Sequence, residues 1–131
     1  MLLSLILGRK GKPMKSMNDA IIGGKNIVAS YSKKGELLRL MYDMPDYRQF
    51  VDFFHTGVKI NDSNIIYLHQ DINNHYKQYY EEDTNVLNTE ITNTYFNLKI
   101  KQTDFVSLKK NVLIKDIHLK TRETLSLMLA F

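Results

Sequence analysis

Residues 79–91 read YYEEDTNVLNTEI. Glu81, Glu82 and Asp83 stand in a row behind two tyrosines, and Glu90 follows. Closely set carboxylates beside aromatic rings suit sugar cleavage. One carboxyl protonates the leaving oxygen, and a second acts as base or nucleophile. Neighbours in sequence serve that chemistry poorly. On an extended segment Glu81 and Glu82 point to opposite sides. Glu81 and Asp83 share a side, but an acid catalyst needs an enclosing pocket to raise its pKa. The expectation is a solvated strand entrance, with Asp83 and Thr84 fixing the turn through side-chain-to-backbone bonds. No catalytic residue is assigned.

Tyr76, Tyr79 and Tyr80 suggest a different use. An aromatic ring offers a flat apolar face and a polar tip, so these three are candidates for stacking on sugar rings. The four histidines sit at 55, 69, 75 and 118. None has metal-ligand spacing with another on one helix or hairpin. His69 and His118 fall within apolar strand patterns and read as polar-face or hydrogen-bonded residues. No metal and no cofactor is expected. The Gly-Gly pair at 23–24 lacks a phosphate-binding fingerprint and reads as a turn. No serine sits in a Gly-x-Ser-x-Gly elbow. There is no cysteine, which excludes a disulfide framework, a thiolate zinc site and a cysteine nucleophile. It also fits a reducing compartment, and a cytoplasmic location is expected.

The chain has 131 residues, enough for one domain with one core. Its net charge of +4 invites a nucleic-acid reading. The placement of the charge argues otherwise. Arg9, Lys10, Lys12 and Lys15 lie in the first sixteen residues, which hold no acid, and without them basic and acidic residues balance. No basic stripe remains, so no nucleic-acid partner is expected. Residues 1–16 place the apolar run Met1–Leu7 before the charges, the reverse of a secretory signal. Seven residues cannot span a bilayer, which needs about 20, and no membrane partner is expected. Residues 1–16 are read as a leader outside the fold, with Met14 and Met17 as alternative starts.

The remaining residues must supply the positioning elements. Beyond the leader the pattern is mostly period two, which predicts strands. Residues 26–32 and 36–42 flank a turn at Gly35, a first hairpin. Residues 57–60 and 65–70 flank Asn61–Asn64, a second. Residues 43–57 break the alternation around Pro45, and Phe50, Phe53 and Phe54 recur at roughly helical spacing, so a short helix or an aromatic loop is predicted. Residues 71–85 are polar and tyrosine-rich. Strands follow at 86–92, 95–106, 111–119 and 124–131. Phe96, Leu98 and Ile100 share one face of their strand, and Leu125, Leu127, Leu129 and Phe131 share one face of theirs. Some seven short strands predict an all-β antiparallel sandwich. The sequence stops within an apolar strand, so a fragment or a partner-covered edge is expected.

The stretches EEDTNVLNTEI, LKIKQTDFV and KNVLIKDIHLK resemble the N-terminal β-sandwich of prokaryotic glucoamylase- and trehalase-like proteins, glycoside hydrolase family 15. In that family a segment like Glu82-Asp83-Thr84-Asn85-Val86-Leu87 begins a strand, and one like Thr103-Asp104-Phe105 follows one strand later. Residues 21–60 also fit, with a Gly and Asn before a strand, a Gly turn, a second strand, a proline loop and a Phe…Gly stretch. The resemblance covers residues 17–131, and the order and spacing of the motifs together carry it. Two departures stand out. Tyr42 is separated from Pro45 where the family has an aromatic-Pro pair, and the family's sandwich is roughly twice as long.

The resemblance implies part of a super-β-sandwich of galactose-mutarotase type, truncated, with residues 17–131 forming a partial domain. The family's two catalytic glutamates belong to a following α/α barrel, and no position here receives them. The implied function is a non-catalytic domain that packs on that barrel in an enzyme cleaving α-glucosidic bonds. The barrel or a self-copy is the implied partner, with α-glucan or trehalose as ligand of the whole. The expected inter-domain surface is the aromatic stretch with Asp46, Tyr47, Phe50 and Phe54. Two alternatives stand beside this: a carbohydrate-binding module, and a standalone interaction protein associating through an open strand edge.

Overall fold

The computed structural model describes residues 20–43, 48–52, 54–122 and 125–130. These residues form eleven strands and contain no helix. The strands are β1 (Ala20–Gly23), β2 (Ile27–Tyr31), β3 (Leu37–Tyr42), β4 (Arg48–Val51), β5 (His55–Ile60) and β6 (Ile66–Tyr67). They continue with β7 (Asn74–Tyr80), β8 (Leu87–Asn93), β9 (Leu98–Val106), β10 (Leu113–Lys120) and β11 (Leu125–Ala130). Three antiparallel sheets result, in the orders β1-β2-β3-β4, β10-β9-β8-β7 and β11-β5-β6. The predicted all-β, sandwich-like fold is what the chain adopts.

Two apolar clusters hold the sheets together. In one, Ala20, Ile22, Ile27, Ala29, Tyr31 and Leu37 of the first sheet meet Leu87 of β8 and Val106 of β9. In the other, Val58, Ile60 and Leu68 meet Ile91, Leu98 and Ile100. Leu87 and Ile91 share strand parity, so both clusters lie on one face of the β10-β9-β8-β7 sheet. The other two sheets therefore cover that face side by side. Among the described residues a backbone bridge, Leu37 to Phe54, joins the two covering sheets.

The first hairpin forms as expected: β2 pairs β3, and Gly35 takes φ +79° in the connection. The other patterns at 86–92, 95–106, 111–119 and 124–131 give β8 to β11. The leader, residues 1–16, lies outside the described residues. So do the side chains of Leu125, Leu127, Leu129 and Phe131.

Two stretches depart from expectation. The described residues of 43–57 contain no helix, and strands stand in part of the stretch. Asp43 at φ 74° turns the chain out of β3, and β4 and β5 follow. The aromatic spacing had masked two short strands. Residues 74–80, read only as polar, form β7 at a sheet edge. Its inward side chains are Asn74, Tyr76 and Gln78, so hydropathy carries no alternation there. Among the described residues no helix is long and apolar enough to cross a membrane.

Candidate functional site

Between the two apolar clusters the interior is polar. On the inward face of β8 and β9, Thr89, Gln102 and Asp104 are all buried. Unsatisfied polar groups there would each cost about 1–3 kcal/mol. The structure satisfies them across the sandwich. Gln102 Nε2 donates to Gly35 O at 2.8 Å and to Asp104 Oδ2 at 2.6 Å. Gln78 Nε2 donates to Ser32 O at 2.9 Å and to Thr89 Oγ1 at 3.1 Å. Tyr31 OH donates to Asp104 Oδ1 at 3.1 Å. Lys115, opposite Asp104 in the β9–β10 register, places Nζ 2.8 Å from Asp104 Oδ1. The belt thus ties the β2–β3 hairpin onto the opposing sheet.

This belt perturbs its own ionisations. Burial, then the Asp104 charge and hydrogen bond, push the Tyr31 hydroxyl far above its usual range. An unfolded tyrosine ionises near pH 10, whereas the folded Tyr31 keeps its proton. The folded state then holds more protons, so stability falls as pH rises past about 10. Burial lowers the Lys115 pKa, with Asp104 opposing. The folded lysine therefore loses its proton first, which adds stability as pH approaches the unfolded lysine range. Tyr31→Phe removes only the first contribution. Unfolding free energies from urea titrations at stepped alkaline pH are expected to fall less steeply in Tyr31→Phe, by about 1.4 kcal/mol per pH unit.

At one end of the belt three ligand-type side chains converge. Glu36 follows the hairpin turn. The bridge from Leu37 to Phe54 sets Glu36 opposite His55, since antiparallel neighbours step in opposite directions. The β5–β6 register pairs Gly57 with Tyr67, and two residues further out His55 meets His69. Leu68 N donates to Thr56 O at 2.9 Å and fixes that approach. Glu36 Oε1 lies 3.7 Å from His55 Nε2 and 3.6 Å from His69 Nε2. Every pair of donor atoms in the group is within 4.8 Å. The two imidazole rings lie 4.1 Å apart between centroids, with Tyr67 at their edge.

Ser32 Oγ donates to Glu36 Oε2 at 2.8 Å, and Lys34 Nζ donates to His69 O at 2.9 Å. His69 is buried. Burial lowers its pKa, with the Glu36 charge opposing. Lys34, Gly35, Glu36, Thr56, Leu68, His69 and Gln102 line a small open cleft beside the group. His69 thus lies in the turn after β6 rather than in a strand. It belongs to a cluster that local spacing did not reveal. His118 is on β10, exposed, against Asp116 at 3.0 Å.

The sequence-predicted residues are dispersed. Asp46 and Tyr47 lie outside the described residues. Phe50 is 63% exposed and edge-on to Tyr42. Phe54 instead packs inward against the first apolar cluster, with Lys115 Nζ 5.8 Å from its ring centre. Tyr76 and Tyr80 share one face of β7 and Tyr79 takes the other. Their hydroxyls are engaged internally: Tyr76 with Leu68 O, Tyr79 with Glu90 Oε1 at 2.8 Å, and Tyr80 with Ile21 O at 2.8 Å.

Glu81, Glu82 and Asp83 are exposed. They belong to the β7–β8 connection, where Thr84 Oγ1 donates to Glu81 O at 3.0 Å and accepts from Val86 N. Asp83 contributes a left-handed backbone, φ 55°. Asn85 Nδ2 donates to Gly23 O at 2.6 Å and so fastens the turn to the first sheet. No family model, curated protein or solved structure matches the chain.

Proposed function

We propose that this chain is a non-catalytic β-sandwich domain of a glucoamylase-like protein of glycoside hydrolase family 15, serving to hold and position an α/α-barrel catalytic domain. One observation carries this reading. The residues on which the resemblance rests serve as joints of the fold. Asp104 of the Thr-Asp-Phe stretch is the buried acceptor of the polar belt. Thr84 and Asn85 of the Asp-Thr-Asn stretch close a turn and fasten it to the neighbouring sheet. The acids of that stretch stand in solvent, where a carboxyl group gains none of the pocket effects that acid catalysis requires. Motifs used in this way suit a scaffold whose chemistry is supplied by another domain.

The chain alone is expected to release no glucose from maltotetraose or trehalose. It is expected to form a 1:1 complex with its co-expressed parent barrel in sedimentation velocity. Hydrolysis by the purified chain, or failure of the co-expressed pair to associate, would sink the reading. A cytoplasmic location belongs to the same proposal.

The carbohydrate-module alternative has a narrower basis. Tyr80 is 43% exposed and offers one ring face rather than a three-ring platform. Titration with maltooligosaccharides to millimolar concentration is expected to leave tyrosine fluorescence unchanged. A saturable change would favour the module over the scaffold.

A further inference from the structure

We propose that Glu36, His55 and His69 form a binding site for a divalent transition-metal ion, with Zn²⁺ as its type ion. The site is independent of the scaffold reading above. Three separate segments supply the donors: the exit of the β2–β3 turn, the first residue of β5 and the turn after β6. Backbone hydrogen bonds lock each approach. Phe54 N donates to Leu37 O at 3.0 Å and holds positions 36 and 55 side by side. Leu68 N donates to Thr56 O at 2.9 Å and holds position 69 beside 55.

The separations suit an ion better than they suit direct bonds. Glu36 Oε1 to the two Nε2 atoms measures 3.7 and 3.6 Å, too long for hydrogen bonds. An ion about 2.0–2.2 Å from each donor in tetrahedral geometry needs donor–donor edges of about 3.3–3.6 Å. Small side-chain rotations supply the difference. The supporting contacts are those a metal site uses. Ser32 Oγ engages Oε2 of Glu36, so Oε1 is left facing the imidazoles. The rings of His55, His69 and Tyr67 pack together and limit their rotation.

Two imidazoles and one carboxylate favour Zn²⁺ and its neighbours in the transition series over Mg²⁺ or Ca²⁺, which prefer all-oxygen shells. The adjoining cleft and the exposed side of His55 leave room for water to complete the shell. Lys34, held on His69 O, opposes a second positive charge nearby. Affinity is therefore expected in the micromolar range, well short of a structural zinc site.

The test uses the untagged full chain, freed of metal with EDTA and titrated with ZnCl₂ by calorimetry and with CoCl₂ by visible absorption. One equivalent of Zn²⁺ is expected to bind, excess Mg²⁺ is not expected to compete, and Co²⁺ is expected to develop d–d bands of a four- or five-coordinate site. Glu36→Gln and His55→Gln should each weaken Zn²⁺ binding at least tenfold while far-UV circular dichroism stays unchanged. His118→Gln, which removes the exposed His118–Asp116 pair, should leave binding intact. Absence of saturable uptake overturns the proposal. So does uptake that Glu36→Gln and His55→Gln leave unchanged, or uptake that His118→Gln abolishes. His55 lies at the rim and is half-exposed, so His55→Gln keeps the test decisive if a more buried variant fails to fold.

Discussion

Asp104→Ala is expected to cost about 3–5 kcal/mol of folding stability, measured by urea unfolding at neutral pH. The carboxylate is fully buried, accepts from Tyr31 and Gln102 at 3.1 and 2.6 Å and pairs with Lys115 Nζ at 2.8 Å. Its loss takes this acceptor from both donors and strands a lysine whose side chain is only 12% exposed. The expense of an uncompensated buried ammonium exceeds that of a missing neutral hydrogen bond. Lys115 is then expected to shed its proton at a lower pH still, because the Asp104 charge that opposes the effect of burial is gone. Asp104→Leu combined with Lys115→Met should recover part of the loss, because it removes the stranded charge together with its partner. A coupling energy of about 1–3 kcal/mol is expected from the double-mutant cycle. Additive effects would mean that the two residues do not act as a pair.

Gly35→Ala is expected to cost about 2–3 kcal/mol, from two physical sources. An L-residue at φ +79° is disfavoured by about 1–2 kcal/mol. The added Cβ would also lie 3.0 Å from Thr89 Cγ2 and 3.2 Å from Gln102 Nε2. Gln102 donates to the carbonyl of Gly35 itself, so the hairpin cannot lift away without breaking the belt. The effect should therefore exceed that of an ordinary surface turn glycine. Thermal unfolding of the variant checks this, and a cost below about 1 kcal/mol would mean that the hairpin is not clamped. Because Glu36 adjoins Gly35, the same variant should also weaken Zn²⁺ binding.

Legibility in the sequence followed hydropathy. The β2–β3 hairpin was readable because Gly35 punctuates two apolar runs, and β9 and β10 were readable because exposed residues alternate with covered ones along them. The β7 strand was not, since its inward residues Asn74, Tyr76 and Gln78 are polar: Gln78 serves the belt, and Asn74 and Tyr76 meet the Leu68 carbonyl. Residues 43–57 misled because Phe50 and Phe54 follow roughly helical spacing while pointing to different environments, one outward and one into the core. The Glu36–His55–His69 group was hidden for a different reason. Its members come from three segments, so no short-range motif contains them. One signal was present nonetheless. Closing the second hairpin near Asn61–Asn64 puts His55 and His69 at the same open end, and the observed register, Val58 opposite Ile66, pairs them when extended. The polar belt left no comparable trace, because Gln102 and Asp104 alternate in phase with Leu98 and Ile100 and only burial distinguishes them.

Under the proposed scaffold function, this sandwich would belong to a family 15-like protein and work beside a catalytic barrel. Reading the DNA that follows the Phe131 codon, in all three forward frames, tests it most directly. Further sandwich strands and then a helical barrel carrying two catalytic glutamates are expected there, either in frame or after a frameshift. Downstream DNA that encodes no such barrel in any frame would contradict the scaffold proposal.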